Sequence, residues 1–310
     1  MNKKLAMMGL GVAVGSMMLV TSVYAGVGDA PGYEAFKSAF KQTAAVDNVT
    51  RQMNVTLQDN GKQLLNVQTT IKSDRSDQAG SAQVVVNDGT EVQTVNFYNQ
   101  DGKQIVKSDA SDVYKVITHD NSNRAFRELE GSNHAPDPQA VQEVEHVVDA
   151  LVGNLKNYVT MDEAPGDVKE IHFKLSGSQI SPVVNTIGSL VLKHGTAESM
   201  NHPVPAKADT LGIDVGTLRN SLPQLANDIK MDAVAVNATI DADNHITNQT
   251  AEIHISGTDA QGAAHEVVLN MDMTLSSLNS TVPDKVDLSG KQIETVQAND
   301  LHHKRWGAAQ

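Results

Sequence analysis

Two periodicities divide the chain. From Pro31 to Ala45, Tyr33, Phe36 and Phe40 recur at i, i+3 and i+7, the spacing of one helical face, and predict a short amphipathic helix. From Val49 the period falls to two. Val49, Met53, Val55 and Leu57 alternate with polar residues, as do Leu65, Val67, Thr69 and Ile71, the pattern of strands with one buried face. Asp59-Asn60-Gly61-Lys62 lies between these two runs, and Asn-Gly supplies the positive φ angles of a tight type I′ turn. Asp88-Gly89 and Asp101-Gly102 repeat the punctuation between the apolar runs 82–86, 92–98, 105–106 and 113–117. Residues 49–118 therefore predict an antiparallel meander of six strands.

Helical signals return after residue 136. Asp137 suits an N-cap and Pro138 the first helical position, and Val141, Val144, Val148, Leu151, Val152 and Leu155 form one stripe. A strand follows over 168–175. Ser181-Pro182 opens a second helix with Val183, Val184, Ile187, Leu190 and Val191, stopped by Gly195. A surface loop over 196–214 leads to a helix over 215–229, broken at Pro223. Three strand-like runs, 231–240, 247–256 and 265–275, complete the pattern. The expected fold class is α+β: a curved antiparallel sheet, an unclosed β-barrel, covered on one face by helices. One domain is expected over 26–282, with an extended C-terminal tail over 283–310.

Residues 1–25 add an address. Lys3 and Lys4 precede the apolar run from Leu5 to Val20, and Val23-Tyr24-Ala25 places small residues three and one positions before a cut. The run is interrupted by Gly9, Gly11 and Gly15 and is shorter than the roughly 20 residues of a spanning helix. The expectation is a secreted, extracytoplasmic protein that is not an integral membrane protein once the signal peptide 1–25 has been removed.

Composition narrows the chemistry. The 310 residues have a formal charge of −13, which argues against a broad nucleic-acid footprint, and no cysteine, which excludes disulfides, thiolate nucleophiles and a lipidated Cys. No Gly-x-Ser-x-Gly elbow, His-Glu-x-x-His pair or phosphate-binding Gly-rich loop is present. A protein without enzymatic activity or cofactor is the expectation.

Several polar constellations invite metal chemistry. Glu170-Ile171-His172 and Glu252-Ile253-His254 each place a carboxylate and an imidazole on one face of a strand, and adjacent strands would bring all four around a zinc ion. The plainer reading has both isoleucines facing the core and both Glu-His pairs facing water. Glu143-x-x-His146 has di-iron spacing in a single copy and reads as a solvated helix face. The run from Asp241 to Glu252 lacks the glycine of a calcium loop, with Ile246 in its place. Asp74/Asp77 and Asp109/Asp112 would make a calcium site only at one end of the sheet; ordinary turns are the alternative. Trp306, after His302-His303-Lys304-Arg305, gives the tail a small basic and aromatic end suited to a cell-envelope polymer or lipid headgroup.

The order of helix, long meander, central helices and returning strands resembles the outer-membrane lipoprotein carrier fold superfamily (LolA-like), over roughly residues 31–280. Tyr33-Glu34-Ala35-Phe36-Lys37 and Asp284-Lys285-Val286-Asp287-Leu288-Ser289-Gly290-Lys291 also resemble uncharacterised secreted proteins of Gram-positive spore formers. The first resemblance implies a binding protein holding an apolar ligand, a lipid or a lipidated partner between a concave sheet and a helical lid, with Val141, Val144, Val148, Leu151, Val184, Ile187 and Val191 as lining. A cell-surface structural or interaction protein without a small-molecule ligand is the second expectation. A metal-binding protein using Glu170, His172, Glu252 and His254 is the third.

Overall fold

The computed structural model describes residues 30–118, 155–180, 223 and 225–297. Helix α1 (Pro31–Ala44) leads into β1 (Asn48–Asp59), β2 (Lys62–Asp74), β3 (Ala79–Asn87), β4 (Val92–Gln100), β5 (Lys103–Ser108) and β6 (Tyr114–Thr118). A 3₁₀ turn at Leu155–Tyr158 precedes β7 (Val159–Ala164) and β8 (Val168–Ser176). Then come β9 (Asn227–Ile240), β10 (Ile246–Thr258), β11 (Ala264–Ser276) and β12 (Ile293–Gln297). All twelve strands form one sheet in the order β12-β6-β5-β4-β3-β2-β1-β11-β10-β9-β8-β7. It does not close, and its edges are β12 and β7. Every pairing is antiparallel except that of β12 with β6. Two meanders, β1–β6 and β7–β11, are thus joined through the long β1–β11 ladder.

This corrects the expected α+β class. The described residues form a mostly β structure with one α-helix, and among them no helical layer covers a face of the sheet. The expected helices over 138–157 and 182–194 fall almost wholly outside the described residues; of the former only 155–157 are described, and they lie in the 3₁₀ turn Leu155–Tyr158. The helix expected over 215–229 is overturned at its end, because Asn227 already belongs to β9, where Ile229 and Met231 alternate with the exposed Asp228, Lys230 and Asp232. Strand β7 escaped the periodicity, since Val159 and Met161 are its only apolar alternating positions. No described helix is long and apolar enough to cross a membrane.

Local chemistry explains the elements that the pattern did predict. Asn60 and Gly61 have φ of 50° and 77°, and Asp101 and Gly102 have φ of 52° and 68°, so both two-residue turns have the positive angles of the I′ class. Helix α1 starts with Pro31 in its first turn and places Glu34 near its N-terminus and Lys41 near its C-terminus, as the helix dipole favours.

The registers sort side chains onto two unlike faces. Val55 stands opposite Met271 on β11 and Val67 on β2, and Val67 opposite Val86 on β3. The same row system puts Ile171, Leu175, Val234, Ala238, Ile253, Val267, Val95, Phe97 and Val106 on this apolar face. The other face is polar over β1, β2, β10 and β11, where amides and hydroxyls bond across strands: Asn66 Nδ2 to Asn54 Oδ1 at 2.7 Å and Asn237 Nδ2 to Thr250 Oγ1 at 3.2 Å.

Helix α1 sits at one end of the apolar face, where Phe36 and Ala39 pack with Ile171, Ala238, Ile240 and Ile246. Gly32 makes this approach possible, since a Cβ there would lie 2.9 Å from the Val159 carbonyl oxygen. Thr43 Oγ1 accepts the Ile246 N–H at 2.8 Å and fixes the helix end to the β9–β10 turn.

Across the polar face runs a strap, residues 277–292, occupying the start of what the pattern marked as a C-terminal tail. Thr281 Oγ1 meets Thr50 Oγ1 at 2.8 Å, and the Asn48 amide bonds the Thr281 backbone in both directions. Asp284 pairs with Lys72 at 2.7 Å and accepts from Ser81. Val286 exchanges bonds of 2.8 and 2.9 Å with the Gln100 amide. The strap then delivers β12 to β6. Ile105 and Val116, on this same face, are buried.

Candidate functional site

Buried residues of the apolar face gather into separate clusters. One lies under α1. A second, Val95, Phe97 and Val106, lies over β4 and β5. A third is Val234, Ile253, Ile255 and Val267, and a fourth is Val46, Val49 and Leu275. Between them, on the middle of β1 and β2, Met53, Val55, Leu65, Val67 and Ile71 share the apolar face, are only half-buried and belong to none of the four clusters. Met53 lies opposite Met273, and Val55 opposite Met271. Methionine side chains adapt to irregular apolar partners, so this patch suits an apolar guest. Arg51 occupies the next apolar-face position after Met53, opposite Ile71 and Leu275.

The two Glu-Ile-His tripeptides do not meet. Ile171 and Ile253 are buried on the apolar face, and both Glu-His pairs stand on the polar face. Strand β9 separates β8 from β10. His172 is level with Asn237, and Asn237 with Thr250, so His254 lies two strands across and four residues along. Strand geometry sets that separation at about 16 Å. Each imidazole has local partners instead: His172 Nδ1 bonds Asn237 Oδ1 at 2.8 Å and its Nε2 lies 3.5 Å from Asp162. His254 Nε2 bonds Glu252 at 2.7 Å. Among the described residues no group of three or more His, Asp or Glu side chains is arranged to hold a metal ion.

Asp74/Asp77 and Asp109/Asp112 lie at opposite ends of the sheet, in the β2–β3 and β5–β6 turns. They are ordinary turns. Asp74 Oδ1 accepts from the Ser76 hydroxyl and the Ser76 and Asp77 backbone N–H groups, which hold its carboxyl below the usual range, the Ser76 hydroxyl acting most strongly. Val141, Val144, Val148, Leu151, Val184, Ile187 and Val191 lie outside the described residues, as do Glu143, His146, Trp306 and the signal peptide.

A polar cluster that the sequence did not single out ends the β1–β11 ladder. His265 Nδ1 lies 2.7 Å from Asp59 Oδ2, and its Nε2 lies 3.7 Å from Asp259 Oδ2. Side-chain exposures of 18%, 15% and 20% leave all three ionisable groups mostly covered. Asp59 Oδ1 and His265 Nε2 are buried with no hydrogen-bond partner. The bond to Asp59 raises the imidazole pKa, desolvation opposes it, and the remaining attraction of both carboxylates adds to the rise. Asp259 is shifted down, chiefly by accepting the Ala263 N–H. The Asn60 amide adds neutral ties between the same turns, to the Ala264 carbonyl and the Glu266 N–H.

No family model and no curated protein matches the chain. Among solved structures, it is similar to an S-type phycobiliprotein lyase from Guillardia theta at 7% identity, covering 83% of this chain and 99% of the other with a TM-score of 0.19. A LolA superfamily protein from Nitrosomonas europaea is similar at 6% identity, with 83% and 96% covered and a TM-score of 0.23. A β-barrel-like protein of a domain of unknown function from Brucella abortus gives 11% identity, 75% and 98% covered, and a TM-score of 0.14. With scores this low, none of these likenesses carries an argument about function.

Proposed function

We propose that this chain is an exported, non-enzymatic binding protein that holds an apolar ligand or the acyl chain of a lipidated partner against the apolar face of β1, β2 and β11. The supporting observation is the half-buried patch of Met53, Val55, Leu65, Val67 and Ile71, which lies between the packed clusters. Full burial of an exposed side chain of this kind is worth about 1.5–3 kcal/mol, and for these half-buried ones an occupant adds roughly half of that each. The seven apolar positions over 141–191 have no part in this reading.

Calorimetric titration of the full chain with dodecyl maltoside, an uncharged single-chain amphiphile, below its micelle concentration tests the reading. Saturable binding with a negative heat-capacity change, lost in a folded Val55→Asp variant, is the expected result. Absence of saturable binding, or equal binding by V55D, would overturn it.

A further inference from the structure

Residues 281–297, most of the strap with β12, form an arm laid across one half of the sheet. The arm bonds Asn48 and Thr50 on β1, Lys72 on β2, Ser81 on β3 and Gln100 on β4. At its far end the Gln292 carbonyl accepts the Tyr114 N–H at 2.8 Å, and β12 pairs with β6. Among the described residues, no hydrogen bond or ion pair joins the arm to β7–β11. Val282 is 77% exposed and the Asp284 side chain 59%, so the arm rides on the surface and can lift without unthreading.

The pivot of the arm is short. Leu278 packs against the cluster of Val46, Val49 and Leu275 and anchors the chain as it leaves β11. Thr281 is already fixed to Asn48 and Thr50. Only Asn279 and Ser280 lie between, both exposed, and Asn279 is held in the left-handed region at φ 58°. A short hinge under strain favours exchange of the element it carries, because extension relieves the hinge while an identical copy offers identical contacts.

We infer that the arm is exchanged between two copies of this chain, each laying residues 281–297 across β1–β6 of the other in a two-fold dimer. This inference is independent of the binding function proposed above. Asp284 of each copy then pairs with Lys72 of the other, and Val286 with Gln100. Closed and exchanged forms share every arm contact and differ at the hinge and in the entropy of association. A short linker presents its own arm at an effective concentration of about 1 mM, and a left-handed hinge residue lowers that several-fold. Exchange therefore belongs to concentrated protein that has opened or is still folding.

The native chain has no cysteine, so Ser81→Cys combined with Asp284→Cys introduces a single disulfide pair at a contact where Ser81 Oγ lies 3.3 Å from Asp284 Oδ2. The reduced, full-length double variant is taken through denaturant and returned to buffer at about 1 mM and about 1 μM, bracketing the effective concentration. Monomer and dimer are separated by size, oxidised, and run on a denaturing gel without reductant. The dimer fraction is expected to be at least about tenfold larger at the higher concentration. Its chains should be joined covalently, while the monomer closes its disulfide within one chain. Protein that stays monomeric at both concentrations, or a dimer that falls apart into single chains on the gel, would overturn the exchange. A second experiment needs no cysteine. Lys72→Asp and Asp284→Lys chains are refolded together at the higher concentration and weighed by native mass spectrometry. Only the mixed, exchanged dimer restores both ion pairs, so heterodimers should exceed the statistical share; a statistical mixture, or no dimer, would count against the arm as the shared element.

Discussion

Replacing His265 by Gln removes a charge from an enclosed bond and leaves the surrounding strands with their backbone pairing. In the native protein Nδ1 sits 2.7 Å from Asp59 Oδ2, a charge-assisted bond when the ring is protonated, and both side chains are mostly covered. Bonds to charged groups contribute about 1.5–3 kcal/mol and neutral ones about 1 kcal/mol, so H265Q should cost about 2 kcal/mol when the imidazole is charged. The pKa of His265 is raised by folding, so the native state binds more protons than the unfolded state near neutral pH. The contribution is therefore complete below the unfolded value near 6.5 and declines as pH rises through the higher native value. Asp259 has its pKa lowered on folding, so its contribution is present above about 3.8 and is lost only as pH falls through its depressed native value, away from this window. Thermal unfolding of wild type and H265Q at pH 5.5 and 8.5 separates the effects. At roughly 2–4 °C per kcal/mol for a domain of this size, the variant should melt about 4–8 °C lower at pH 5.5 and about half as much lower at pH 8.5. An equal difference at both pH values, or a larger one at pH 8.5, would refute a protonated imidazole between the two turns.

Other perturbations test separate parts of the structure. Gly32→Ala should lower stability by about 1–3 kcal/mol in denaturant unfolding, because its Cβ meets the Val159 and Thr160 carbonyls at 2.9–3.0 Å and α1 must lift; a neutral outcome would mean that the helix does not approach β7 as described. Gly61→Val forces a β-branched residue to φ near 77° and should cost about 1–3 kcal/mol by the same measurement, against little change for a substitution at the exposed neighbouring Lys62. Asp284→Ala should shift the melting temperature only slightly, since exposed ion pairs contribute about 1 kcal/mol or less, whereas ending the chain at Ser276 removes the strap and β12 and should produce aggregation visible in light scattering. Equilibrium dialysis with zinc should give the same stoichiometry and affinity change for H172A plus H254A as the sum of the single variants; a cooperative loss would place the two imidazoles on one ion despite their separation.

What could be read from the sequence depended on how far each cause lies along the chain. The Asn60-Gly61 turn was legible because its positive φ angles are a property of two residues, and the long strands because alternation from Val49 to Leu57 or Val267 to Leu275 is written locally. Arg51 went unremarked in the same alternation, between Val49 and Met53, and only the register shows which residues surround it. The strap was not legible, because Asn48 meets Thr281 across 233 positions and Lys72 meets Asp284 across 212. Strand β12 likewise exists only through its parallel partner β6, and His265 is set apart from the other described histidines by a carboxylate 206 positions away. The two Glu-Ile-His tripeptides follow their plainer reading, isoleucines to the core, and a shared zinc site is prevented by topology: equal local spacing carries no information about β9 lying between them.

The ladder between β1 and β11 joins residues near 50 to residues near 275, so the first meander gains its second neighbour only after nearly the whole chain has been made. Until then β1 presents an open edge of twelve residues beside an apolar face. Such distant pairing makes for slow folding and for intermediates that stick to one another. During synthesis at about 5–20 residues per second, that edge stays open for about ten seconds or more after β1 emerges. A holdase that covers β1, or delivery of the chain to its destination before it folds, would meet a physical need created by this strand order.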